Sequence, residues 1–312
     1  VATAPALVVL AAGLARRYGG CKPLAPVGPA GEAVIDLVVS DAMEAGFGDV
    51  VLVLHPETGP AIRYHVEQCW PRSVTVAFAE QAVPRGTVDA VVAAGTALGD
   101  RRPFAVANAD DVYGQGAMAL VARHLDQDHD EHALMGYHLR STVVSDAPVT
   151  RAVCAVDASG HLTGLTERRQ VARHGDGEAF TALDGTLPDK LDGDVLVSVN
   201  LWGFQPAIWP VLHAALAPGA ETAGGSAVPN GNAGAATRAR GGDPGDRGPE
   251  VLLPEVVGDM VAARTGHRVR VLPTADRCLG VTHADDLPLV AAALDRQVAT
   301  GARPARLWEG LR

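Results

Sequence analysis

Short apolar runs alternate with amphipathic stretches over the first hundred residues. Ala6–Ala11, Asp49–Leu54, Val74–Ala79 and Pro103–Ala107 are apolar runs of strand length. Between them, Glu32–Ala45, Pro60–Cys69 and Val88–Leu98 carry apolar residues at helical spacing, the first stopping at Gly46. Strands that are apolar on both faces, with helices between them, predict a parallel sheet covered on both sides. The expected fold class is α/β, in three α/β/α layers around a mixed, mostly parallel sheet.

The pattern changes after a helical stretch at Gly114–Asp126. Ala133–His138, Arg151–Val156, His161–Thr166 and Val195–Phe204 read as strands with few helices between them, which predicts a mixed sheet and an added lobe. Pro206–Ala217, Glu250–Ala263 and Ala284–Ala299 are expected helices, and Arg268–Leu272 a strand. Pro218–Pro249 is rich in Gly, Ala, Pro and Asn and has no periodicity. It has too little apolar surface to offset its ordering entropy, so 218–249 is expected to be a disordered insertion in one domain spanning 1–312.

Composition narrows the partners. The 312 residues include 26 Lys and Arg against 36 Asp and Glu, a net charge of −10. An acidic chain argues against tracking along nucleic-acid phosphates, although a few local cations and backbone N–H groups still suffice for a small anion. The four cysteines, at 21, 69, 154 and 278, form no CxxC pair and suggest neither a zinc site nor a disulfide framework. A cytoplasmic location is expected, with no membrane partner: Ala6–Ala15 is too short to span a bilayer and lacks the flanks of a signal peptide.

Two segments carry chemistry. In Leu10–Val27, LAAGLARRYGGCKPLAPV, a strand runs into a small-residue loop and then delivers Arg17 and Lys22. After Leu10, the small residues Ala11, Ala12 and Gly13 let backbone N–H groups from Leu10 onwards approach phosphates, and the two cations sit where phosphoryl charge develops. No GKS or GKT follows, so this is not a P-loop, and the GxGxxG pattern is absent. The second segment is Asn108-Ala109-Asp110-Asp111, at the carboxyl end of an expected parallel strand, where α/β folds bind ligands. Its carboxylates suit a hard cation, Mg²⁺ or Mn²⁺.

The first segment resembles the signature of the sugar-phosphate nucleotidyltransferase superfamily, AAGxGxR followed by KPLxPV, in a bacterial branch with YGG between Arg and Lys that is related to molybdenum-cofactor guanylyltransferase-like proteins. Ala15 stands where that pattern has its second Gly, and Arg16 replaces a small residue beside Arg17. Glu80–Ala90 (EQAVPRGTVDA) resembles the base-recognition loop, Asn108–Gly114 (NADDVYG) the metal loop, and Ser198–Phe204 and Arg303–Trp308 further segments of the branch. The resemblance implies a Rossmann-like fold with a nucleotide-binding half, 1–130, and a sugar-phosphate half, 131–312. It implies Arg17 and Lys22 as catalytic cations, Asp110 as direct metal ligand and Asp111 as its support. Gln81, Gly86 and Thr87 would read the base, and Arg151, Glu167 and Asn200 the sugar phosphate. A second ligand from GVTHADDL remains open between Thr282, Asp285 and Asp286.

The expected reaction joins a nucleoside triphosphate, UTP or dTTP, to a sugar 1-phosphate and releases pyrophosphate. A phosphate monoester is already ionised near neutral pH and needs no strong base, which fits motifs rich in cations and carboxylates but without a nucleophile. A non-sugar acceptor, molybdopterin or another phosphorylated alcohol as in guanylyl- and cytidylyltransferases, is the nearest alternative. A catalytically silent nucleotide-binding regulator is another; it would be expected to lack Lys22 or Asp110. The run Arg123–His132 has no defined metal-ligand spacing and reads as a solvated loop.

Overall fold

The computed structural model describes residues 4–14, 20–127, 129–174, 179–217, 250–281 and 284–308. Arg17, Thr282 and the expected disordered insertion lie outside them. The order of elements begins β1 (Ala6–Ala11), α1 (Val34–Glu44), β2 (Asp49–Leu54), α2 (Gly59–Cys69), β3 (Thr75–Glu80), α3 (Thr87–Leu98), β4 (Phe104–Asn108), β5 (Asp111–Val112), α4 (Gln115–Leu125) and β6 (His132–His138). It continues with β7 (Val149–Val156), β8 (Leu162–His174), β9 (Ala179–Ala182), β10 (Lys190–Asp192), β11 (Leu196–Ser198), β12 (Trp202–Phe204), α5 (Trp209–Ala215), α6 (Leu253–Ala262), β13 (Val269–Thr274), β14 (Leu279–Gly280) and α7 (Leu287–Ala299).

One mixed sheet runs in the order β10-β9-β8-β7-β11-β6-β12-β4-β1-β2-β3, with β13 paired to β6. The block β4-β1-β2-β3 is parallel, as is β13 with β6, and the second-half strands are antiparallel. Alternate strand residues serve opposite layers. Leu7, Val9, Leu52 and Ala105 pack with α1, α2, α4 and α7. Ala6, Val8, Val51, Val53, Phe104 and Val106 pack with α3, α5 and α6. That two-sided burial is why these strands read as continuous apolar runs. No helix among the described residues is long and apolar enough to cross a membrane.

Several expected elements differ in detail. Val195–Phe204 is not one strand but two: β11 and β12 face successive parts of β6, with Leu196 opposite His138 and Trp202 opposite Leu134. The chain turns between them at Asn200, whose φ is +62°. The first helix starts at Val34, not Glu32, because Asp36 accepts the Ala33 N–H at 2.8 Å while the Glu32 carbonyl closes the preceding loop. The strand expected at His161–Thr166 extends to His174, and β9 and β10 add to the lobe beyond it. Glu250–Leu252 precede α6 as extended chain, held by the loop before α3. Short 3-10 turns, Pro206–Ile208 and Ala284–Asp286, take up the first residues of the expected helices at 206 and 284.

Buried polar groups tie distant segments together. Arg303 grips Asp41 on α1 through two 2.7 Å hydrogen bonds, both side chains almost fully buried. Trp308 packs on Trp70 with ring centroids 5.8 Å apart. The end of the described chain therefore covers α1. At the amino ends of β4 and β6, His132 is fully buried. Its Nδ1 accepts the Gln205 N–H at 3.1 Å, so its Nε2 donates to His267 Nδ1 at 3.3 Å.

Burial, with the charges of His267 and His124, lowers the His132 pKa from 6.5 to about 4. Between those values the unfolded chain binds a proton that the folded chain refuses, so stability is full above pH 6.5 and falls as pH drops towards 4. The loss from this group is about 3 kcal/mol. We predict that the urea midpoint falls more between pH 7 and pH 4.5 in the wild type than in His132→Asn, which keeps an acceptor for Gln205 but cannot titrate. Equal falls would remove His132 as a source of acid sensitivity.

Candidate active site

The parallel pairing of β1 and β4 sets Leu10 opposite Asn108, and Ala109 N–H donates to the Leu10 carbonyl at 3.2 Å. The loops that follow both strands therefore leave the same edge of the sheet. Leu10, Ala11, Gly13, Leu14, Lys22, Pro23, Ala109 and Asp110 line one cavity of about 240 Å³. Ala12, between Ala11 and Gly13 in the chain, is buried. Lys22 opens a 3-10 turn, Lys22–Leu24, that packs against α1 and α2, and its Nζ lies 3.7 Å from Asp110 Oδ2. The small-residue loop, the lysine and the carboxylate expected from separate parts of the sequence thus meet in one place.

Asp110 and Asp111 are held by their surroundings. Asn108 Nδ2 donates to Asp111 Oδ2 at 3.0 Å. The two-stranded ribbon of β5 and β14 sets Asp111 opposite Gly280, and Val281 N–H donates to the Asp110 carbonyl at 3.0 Å. A Cβ at Gly280 would collide with Asp111 Oδ1. Burial and the neighbouring Asp111 charge push the Asp110 carboxyl up, with Lys22 opposing. Burial also raises Asp111, against the Asn108 hydrogen bond and the charges of Arg151 and Lys22. A cation placed here would relieve both carboxylates. Among the described residues there is no group of three or more His, Cys, Asp and Glu side chains that would cage a metal. Two adjacent carboxylate oxygen donors, with other positions left to water and phosphate, are the donor set that suits Mg²⁺.

The loop Asn108–Gly114 owes its shape to residues that its spacing does not reveal. Tyr113 Oη accepts the Asn108 N–H at 2.8 Å and donates to the Val199 carbonyl at 3.2 Å. Asp276, from the turn after β13, accepts the Ala117 N–H at 2.7 Å and so caps α4. A Cβ on Gly114 or Gly116 would meet that carboxylate. The two glycines in the sequence signal a close approach, but nothing local names Asp276 as the approaching group.

The other expected residues are distributed around this edge. Gln81 is buried at the end of β3; its Nε2 donates to the Gly86 carbonyl at 3.0 Å and to Asp89 Oδ2 at 2.8 Å. Both partners are acceptors, which fixes the amide orientation. Gly86 has φ +100°, and a Cβ there would lie 2.6 Å from the Val251 nitrogen. Val251 N–H donates to the Arg85 carbonyl at 2.8 Å, Val88 N–H to the Val251 carbonyl at 3.1 Å, and Leu253 N–H to Thr87 Oγ1 at 2.8 Å. The glycine at 86 and the hydroxyl at 87 are thus engaged by the chain entering α6. Arg151, on β7, is clamped to Thr142 through Nε at 3.0 Å and Nη2 at 2.6 Å. Glu167, on β8, is exposed and accepts from Arg169 Nε at 2.6 Å. Asn200 Oδ1 accepts from Trp202 Nε1 at 3.4 Å. Of the candidates for a second metal ligand, Asp285 is exposed and Asp286 is buried at the start of α7.

Comparison with known proteins agrees with this geometry. Residues 8–142 match the family model described as nucleotidyl transferase, which spans the loop, Lys22, Gln81 and both aspartates. The matched part of the chain is a nucleotidyl transferase domain, consistent with the sugar-phosphate nucleotidyltransferase superfamily, and it supports a transferase activity. No curated protein matches the chain.

We predict that Gly280→Ala, by pushing Asp111 away from Asn108, lowers nucleotidyl transfer at least about tenfold while the protein still melts cooperatively. Activity and a thermal melt on the same sample test this. Unchanged activity would show that the position of Asp111 is not needed.

Proposed function

We propose that the protein transfers a nucleoside monophosphate from a nucleoside triphosphate to a sugar 1-phosphate, with release of pyrophosphate. The observation that carries this reading is the shared cavity of the Leu10–Leu14 loop, Lys22 and Asp110. Backbone N–H groups of a small-residue loop receive the triphosphate, and the lysine ammonium meets charge that grows on phosphoryl oxygens. An oxygen of the sugar phosphate attacks the α-phosphorus and pyrophosphate leaves in line, so positioning and charge neutralisation are the whole of the catalytic task. Asp110 and Asp111 would hold Mg²⁺ or Mn²⁺, which when bound neutralises phosphate charge. Arg17 would add a second cation to the same phosphates.

UTP or dTTP is the proposed donor. Since the Gln81 amide nitrogen is spent on Gly86 and Asp89, its oxygen is the atom that meets the base, as acceptor from an imide N–H. Arg151, Glu167 and Asn200 are proposed on the sugar-phosphate side. The assay is pyrophosphate release across the common triphosphates and a panel of sugar 1-phosphates. Activity only with a non-sugar phosphate acceptor would overturn the acceptor assignment.

Lys22→Ala is predicted to lower turnover by about 10²–10³ with the fold retained, the usual effect of deleting one preorganised charge-stabilising group. A folded variant with normal turnover would take Lys22 out of the mechanism. Asp110→Asn is predicted to need more Mg²⁺ and to turn over slowly even at saturation, while Asp111→Asn has the milder defect. Rate against Mg²⁺ concentration for the three proteins checks this, and identical curves would sink the metal assignment.

A further inference from the structure

Away from the nucleotide site, α1 and α2 bring an aspartate, a histidine and a cysteine into one line. Cys69 is exposed at the last residue of α2, and His65 lies one helical turn earlier on the same face. Cys69 Sγ is 3.6 Å from His65 Nδ1, and His65 Nε2 is 2.8 Å from Asp36 Oδ1. The side chain of His65 is 22% exposed, so the thiol and the ring edge are open to a small reagent.

The hydrogen bonds decide where the protons sit. Asp36 is buried on α1 and accepts the Ala33 N–H at 2.8 Å and the Trp70 Nε1–H at 2.6 Å. A carboxylate with these donors accepts from His65 as well, so the imidazole proton is on Nε2. In the neutral ring the Nδ1 lone pair then faces the thiol. This is the order nucleophile, base, orienting carboxylate. The hydrogen bond to Asp36 raises the His65 pKa, with burial opposing and the Asp36 charge adding. Burial and the same charge raise the Cys69 thiol. Cys69 is therefore a resting thiol that passes its proton to a strengthened base as it attacks. Among the described residues the other three cysteines have no such partner: Cys278 is buried, burial pushes Cys154 up to about 12, and Cys21 is half-buried.

We propose that Cys69, His65 and Asp36 form a thiol-modification site at which Cys69 exchanges with a low-molecular-weight disulfide. The sulfur of Cys69 attacks one sulfur of the disulfide and its proton moves to His65 Nδ1. The new S–S bond to Cys69 forms as the old one breaks, and the departing thiolate takes up a proton. One disulfide is consumed and one mixed disulfide and one thiol appear, so oxidation states balance.

The probe is oxidised glutathione, added to the full chain at pH 7 and followed by intact mass and peptide mapping. The expected result is one adduct, on Cys69, absent in Cys69→Ser. His65→Gln keeps an amide donor for Asp36 but has no base facing the thiol, and should react at least about tenfold more slowly. The wild-type rate should rise with pH through the imidazole range, whereas His65→Gln should rise only at higher pH, above the ordinary thiol value of about 8.5, because burial and the Asp36 charge still raise the thiol. A first adduct on another cysteine, or equal rates in the two proteins, would overturn the proposal. So would a wild-type profile that rises only with thiol ionisation, a result that needs no variant to fold.

Discussion

The site depends on one register, the parallel pairing of β1 with β4. Because Leu10 lies opposite Asn108, the loop after one strand and the carboxylates after the other leave the sheet as neighbours, about 4.8 Å apart. The core holds that register. Val8 and Val106 face the layer of α3 and α5, and Val9 and Ala107 face the layer of α1 and α4. A slip of one residue in either strand would exchange its two faces and separate Lys22 from Asp110.

The carboxylate pair is assembled against a cost. Burial disfavours both charges, and the Asp111 charge further disfavours that of Asp110, an arrangement that a bound cation would relieve. Support comes from far along the chain: β14 backs Asp111 with Gly280, Val281 grips the Asp110 carbonyl, and Asp276 caps the helix that follows the loop. The parallel block of the sheet therefore does not make its own site unaided.

A second set of acidic residues serves the scaffold. Asp36 and Asp41, both on α1, are buried and satisfied by partners from α2, from Trp70 just beyond it, and from Arg303. Breaking such a buried pair leaves an uncompensated charge, which is why the chain near Arg303 is bound firmly to the first helix. The packing of Trp308 on Trp70 extends the same contact with apolar area.

Much of this architecture is legible in the chain as written. The apolar runs of β1 to β4, the helices between them, the small-residue loop with Lys22, and the adjacent aspartates all depend on neighbours within a few positions, and local periodicity or composition reports them. The register decided the rest. The break at Asn200 follows from β6 serving two partners. The need for glycine at 86 comes from Val251, and at 280 from Asp111. The line from Cys69 through His65 to Asp36 joins two helices, of which only the spacing within α2 is visible in sequence. Local spacing determines which elements form and which chemistry they carry. Contacts between residues tens or hundreds of positions apart arise only when the core closes, and these decide which side chains meet, which protons they share and which glycines have no alternative.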